Sequence, residues 1–171
     1  VNGLLRREDI PKYGGGVGYA DGYFVHTFTK LLPPDIYFDE HPEYYAEIGG
    51  ERHLMHNTPN YTQFCMSNPK ARKKFVDYVA DYAESHSNID YLHVWLADAY
   101  HNHCECAECR KKTPSDWYMV LMNDIDKALE ERNLQTRIVF IVYVDTTWAP
   151  ITERIKNPKR FSILLAPISR S

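Results

Sequence analysis

Four cysteines carry the most specific chemistry in this sequence. Cys104-Glu105-Cys106-Ala107-Glu108-Cys109 places three thiols within six residues, and Cys65 stands apart, just before a Ser-Asn-Pro stretch. A Cys-x-Cys-x-x-Cys run lets one tight turn aim three sulfurs inward, and zinc takes four such ligands tetrahedrally. Cys65, His101 or His103 would complete the set, and a structural zinc ion would staple a loop that has no core of its own. Two other readings stay open. Disulfides would place the protein in an oxidising, secreted setting, whereas reduced, metal-bound thiols suit the cytoplasm. A redox Cys106-x-x-Cys109 pair would need depressed thiol pKa values and a helix start directly after a strand.

Carboxylates form the second group. Asp98 ends the apolar run Tyr91 to Ala97, and Asp145 ends the run Arg137 to Val144. Adjacent strands lie about 4.8 Å apart, so two strand-end acids can reach the roughly 5–9.5 Å separations that glycosidases use. One acid would protonate the leaving oxygen and the other would act as nucleophile or base. Tyr100 and Trp148 are candidate platforms for sugar rings. His26 and Arg170 are candidates for binding hydroxyls or a carboxylate. An Asp after a strand also caps turns, so each acid has a purely structural alternative. His93 and Trp95 alternate with Leu92, Val94 and Leu96 and are expected to pack rather than react.

The elements that position these residues alternate. Residues 1–22 contain Gly14-Gly15-Gly16 and Gly18 and are expected to form a loop. Residues 23–171 read as βα repeats within a single domain spanning 1–171. Strands are expected at Tyr23 to Phe28, Tyr91 to Ala97, Arg137 to Val144 and Phe161 to Ala166. Gly49-Gly50 marks a hairpin between Tyr44 to Ile48 and Arg52 to Met55. Asn68-Pro69 and Thr113-Pro114 are helix starts, each followed by an apolar stripe at helical spacing. A short helix is expected over Ile151 to Lys156. The pattern predicts an α/β fold of parallel strands with outer helices, consecutive βα units forming part of a (β/α)₈ barrel. A whole barrel needs roughly 250 residues, so 171 residues would supply part of one. A small complete open-sheet domain is the alternative.

Composition narrows the partners. The chain is 44% hydrophobic, which suffices for a core, and its net charge of −3 gives no general attraction to nucleic acid. No apolar run is long enough to span a membrane, and no leader pattern opens the chain. Exposed sheet edges of an incomplete barrel would favour self-association.

Several stretches resemble a bacterial family of unassigned function. They are His26-Thr27-Phe28, Leu31-Leu32-Pro33, His41 through Ala46, Cys65 through Pro69, Trp95 through Asp98, His103 through Cys109, and Asn157-Pro158 through Arg170. Members of that family are large proteins whose barrel is similar to that of α-glucuronidases and other glycoside hydrolases. The resemblance implies a (β/α)-barrel core and a role in carbohydrate breakdown, and it supplies no catalytic residue. Asp145 through Trp148 depart from the family pattern at their first positions. The expected function is thus a glycoside-hydrolase-like, carbohydrate-active domain; the resemblance implies missing barrel strands, so it does not imply that this piece is active alone. The alternative is a non-catalytic carbohydrate-binding or scaffolding domain held by structural zinc.

Overall fold

A computed structural model describes residues 17–19 and 26–167. In chain order the regular elements are β1 (Val17–Tyr19), α1 (Phe28–Leu31), α2 (Pro34–Tyr37), β2 (Glu47–Ile48), β3 (Glu51–Arg52), α3 (Pro69–Ser85), β4 (Tyr91–His93), α4 (Pro114–Glu131), β5 (Arg137–Val142) and β6 (Phe161–Leu165), joined by turns and short 3₁₀ segments. β1, β4, β5 and β6 form one sheet in that order, and every pairing is parallel. The α/β class with parallel strands and helices is therefore as expected. Among the described residues the sheet is open.

The two long helices form where their caps dictate. Asn68 accepts hydrogen bonds from the N–H groups of Lys70 and Ala71, and Pro69 fills a first-turn position that needs no donor. Thr113 and Asp116 form a reciprocal capping box on α4. The apolar stripes of both helices cover one face of the sheet. Phe75, Val79 and Ala83 from α3 and Tyr118, Leu121, Met122, Ile125 and Leu129 from α4 pack with Leu92, Val94, Leu96, Ile138 and Phe140. Tyr91, His93 and Trp95 alternate onto the other face and are half-buried. There the Trp95 indole N–H donates to His93 Nδ1 at 3.0 Å, and burial pushes the His93 imidazole down to about 4. These two residues pack, as expected from their alternation.

Five expectations fail for identifiable reasons. The loop over 1–22 contains β1, a three-residue strand that pairs through its backbone with β4. The strand over Tyr23 to Phe28 is not present at its described end, and residues 23–25 lie outside the described ones. His26 adopts φ 53 and Phe28 opens α1. The Thr27 hydroxyl accepts from the Trp95 N–H at 2.7 Å, and the Phe28 N–H donates to the Trp95 carbonyl at 3.0 Å, so this segment closes over the end of β4. The second strand stops at His93 rather than Ala97, because beyond it the Trp95 N–H and carbonyl are taken by Thr27 and Phe28. The third strand stops at Val142, and Val144–Thr147 form a 3₁₀ turn. The helix over Ile151 to Lys156 does not form, because α4 takes its backbone groups. Asp116 Oδ1 accepts from the N–H groups of Thr152 and Glu153, while Asn123 binds the Arg154 carbonyl and the Lys156 N–H. The hairpin does form, and Gly49 and Gly50 take φ +62 and +87, the left-handed pair a two-residue turn requires.

Asp116 carries a pH prediction. Burial opposes its charge, but the N–H groups of Glu153, Thr152 and Thr113 and the Thr113 hydroxyl outweigh that and hold the carboxyl well below the usual range. A depressed folded value means that its contribution is complete above the unfolded value of about 3.9 and lost as pH falls through the folded one. Asp116→Asn is expected to lower stability at neutral pH and to flatten the loss below about pH 4. Urea unfolding at a series of pH values checks this; parallel curves for both proteins would sink it.

Candidate functional site

The four cysteines converge. Their Sγ atoms all lie within 4.8 Å of one another. From Cys65 the distances are 3.5 Å to Cys104, 3.7 Å to Cys109 and 3.8 Å to Cys106. Four thiolates each about 2.3 Å from zinc stand about 3.8 Å apart, so the donor set fits a tetrahedral ion. None of the four is in a disulfide. The fourth donor is Cys65 rather than a histidine, because His103 turns towards Asp145, with Nε2 4.0 Å from Oδ2. The cluster can hold a metal ion.

Three separate segments build it. Cys65 comes from the loop before α3, where its N–H donates to the Tyr44 carbonyl. Cys104, Cys106 and Cys109 come from the loop between β4 and α4. The β2–β3 hairpin supplies the surroundings. The Glu47 N–H lies 3.3 Å from Cys104 Sγ, and the Arg52 guanidinium lies 4.0 Å from the same sulfur. Arg52 also pairs with Glu47 and donates to the Tyr45 carbonyl. The Ser67 hydroxyl stands 3.0 Å from Cys109, 3.3 Å from Cys65 and 3.6 Å from Cys106. Without metal, hydrogen bonds from Cys104 and Cys109 draw the Cys65 thiol down, and Cys104 and Cys65 push Cys109 up. Arg52 and Ser67 escaped the sequence reading. The Gly-Gly turn beside Arg52 and the two-residue step from Cys65 to Ser67 were the only signals.

A second cluster sits where β4 and β5 end. Asp98 is 41% exposed by its side chain, and its Oδ1 accepts from the Ala99 N–H at 3.0 Å. His26 Nε2 and the Tyr143 hydroxyl each stand 3.5 Å from the same oxygen. Burial, followed by the charge of Asp98, pushes the Tyr143 hydroxyl well above its ordinary value. Tyr143 lies inside the apolar run Arg137 to Val144, where nothing in the pattern marks its hydroxyl.

Asp145 lies one turn further on, in the 3₁₀ segment rather than at a strand terminus. Its Oδ2 accepts from the His101 N–H at 2.6 Å, which ties it to the cysteine loop. Burial pushes the nearby His103 imidazole down to about 4, against the pull of Asp145. Trp148 is 80% exposed, and its carbonyl is fixed by the Ser115 hydroxyl at 2.6 Å. Tyr100 is also exposed and meets His101 edge-on. His101, His103, Asp145, Trp148, Arg110 and Lys112 line a shallow groove between the two loops. Arg170 lies outside the described residues.

Backbone strain is concentrated at the same end of the sheet. His26, Ala99, His101 and Val144 all take positive φ, at 53, 116, 53 and 47. A β-branched residue there is an outlier. Such strain collects where a site is being shaped.

No curated protein and no solved structure matches the chain. Among the described residues no helix is long and apolar enough to cross a membrane. A family model covers residues 6–171, nearly the whole sequence, and the chain therefore belongs to the family described as Domain of unknown function (DUF4838).

Proposed function

We propose that this chain is a carbohydrate-active domain of the glycoside-hydrolase type, part of a (β/α)-barrel similar to that of α-glucuronidases, with a structural zinc ion holding its cysteine loop. The observation that supports this most is the placing of Asp98, Asp145, Tyr100 and Trp148 in the segments that follow the adjoining parallel strands β4 and β5, where the His101 N–H joins the two loops at Asp145. In barrels built from βα units, that end carries the chemistry. Asp98 is the favoured acid or nucleophile, because it is both anchored and open. Trp148 supplies an exposed ring of the kind sugars stack on, and Arg170 is the proposed contact for a hydroxyl or carboxylate, whereas His26 turns its ring nitrogens to Leu96 and Asp98 rather than to a substrate.

The zinc ion would be held by Cys65, Cys104, Cys106 and Cys109. Four protein ligands leave no open position, so its role is to fix the loop rather than to activate water. Arg52 and the Glu47 N–H offset the negative charge of the thiolates.

A non-catalytic carbohydrate-binding domain is the second reading, and the His101 N–H on Asp145 favours it. A carboxylate spent on holding a loop is less available for proton transfer. A panel of para-nitrophenyl glycosides and a glycan array separate the two. Hydrolysis that Asp98→Asn abolishes while binding survives supports the enzyme. Saturable binding without hydrolysis supports the binder, and neither activity overturns both.

Self-association is part of the same proposal. Ile163, Leu164 and Leu165 are exposed along β6, an edge of the sheet among the described residues. Unpaired apolar edges recruit a second strand. Light scattering is expected to show mass above the monomer at high concentration, and a charged residue at Ile163 is expected to reduce it. A strict monomer throughout would count against this.

A further inference from the structure

The surroundings of His26 specify its hydrogens. Nδ1 lies 3.0 Å from the Leu96 carbonyl. A carbonyl has no hydrogen to give, so Nδ1 must donate. Nε2 then faces Asp98 Oδ1 at 3.5 Å. The ring is thereby held with Nε2 turned to the Asp98 carboxylate. Both ring nitrogens are thus committed within the protein, which leaves His26 no polar atom for a ligand.

The same reasoning applies around Asp98. Its N–H donates to the Asn60 carbonyl at 2.9 Å, and its carbonyl accepts from Asn102 Nδ2 at 3.2 Å. Oδ1 meets the Ala99 N–H, His26 and the Tyr143 hydroxyl, which also reaches the Ala97 carbonyl at 3.1 Å. Oδ2 has no partner among the described residues. We infer that His26 and Tyr143 are positioning residues for Asp98, and that Oδ2 is the one carboxylate oxygen presented to a ligand. Its complement is an O–H donor such as a sugar hydroxyl or a water molecule. Only the identity of that ligand rests on the carbohydrate reading.

The test needs no sugar, so its failure and that of the carbohydrate reading are distinguishable. The metal-loaded chain is labelled with 15N-histidine, and the ring nitrogens are read by long-range 15N–1H correlation near neutral pH. His26→Gln assigns the His26 signals. The wild type is expected to show a hydrogen on His26 Nδ1. Asp98→Asn is expected to move both His26 nitrogens and to leave His86, stacked on Tyr82, in place. Asp98→Glu is expected to restore the shift in part, which a merely structural role would not do. A bare Nδ1 in the wild type overturns the proposal, and so does an unmoved His26 in a folded Asp98→Asn protein. If Asp98→Asn does not fold, the wild-type hydrogen position decides alone.

Discussion

Stripping the metal with a strong chelator, or replacing Cys109 by Ser, is expected to lower the thermal unfolding midpoint by at least ~10 °C. Zinc contributes roughly 10–16 kcal/mol to small thiolate sites, and a domain of this size is stable by only about 5–15 kcal/mol. Even a third of the zinc contribution, about 3–5 kcal/mol, is a large share of that margin, and each kcal/mol moves the midpoint by about 2–4 °C at this length. The cluster joins Cys65 to residues 39, 41 and 44 positions away. It thereby closes a loop that contains all of α3 and β4, and because such a site does not preform in the unfolded chain, its binding energy is folding energy. Elemental mass spectrometry of tag-free protein, paired with unfolding in the presence and absence of chelator, is the check. No zinc and an unchanged midpoint would remove the metal from the account.

Asp126→Ala should cost about 3–5 kcal/mol, the usual penalty for leaving a buried charge alone. Asp126 Oδ1 accepts from Arg160 at 2.8 Å and from Asn157 at 3.1 Å, with both members of the ion pair about 90% buried. Arg160 also donates to the carbonyls of Leu134 and Thr136. It thus ties the end of α4 to the starts of β5 and β6. The exposed pairs Lys73–Asp77 and Lys127–Glu131 are expected to contribute under ~1 kcal/mol each. The double variant Asp126→Leu/Arg160→Met should recover part of the loss and not all, because the two carbonyls stay unpaired. Urea denaturation measures all three. A loss below 1 kcal/mol for Asp126→Ala would show that water reaches the pair.

What could be read from the sequence follows from how local each signal is. Asn68-Pro69 and Thr113-Pro114 announce helix starts within two residues, and both helices form there. Cys104, Cys106 and Cys109 share one turn, so their convergence is local too. The contribution of Cys65 depends on how α3 packs, which spacing cannot encode. β1 left no trace, since a three-residue strand in a glycine-rich stretch has neither alternation nor β-branched density. The expected helix over 151–156 had the right apolar spacing, but Asp116 and Asn123 claim its backbone from another element. Tyr143 was masked by the same apolar run that made β5 easy to find. Residues of this kind are recognised only by what surrounds their polar atom.

The left-handed residues at the strand ends bear on how this scaffold would respond to directed evolution. Replacing exposed His101 by glycine relieves a backbone penalty of roughly 1 kcal/mol, whereas at Val144 the same relief is set against lost packing on the core. A screen that rewards thermal survival alone would find His101 early. It would also relax the turn that ties the cysteine loop to Asp145. Stabilised descendants selected without a ligand are therefore expected to lose the groove first and the fold last.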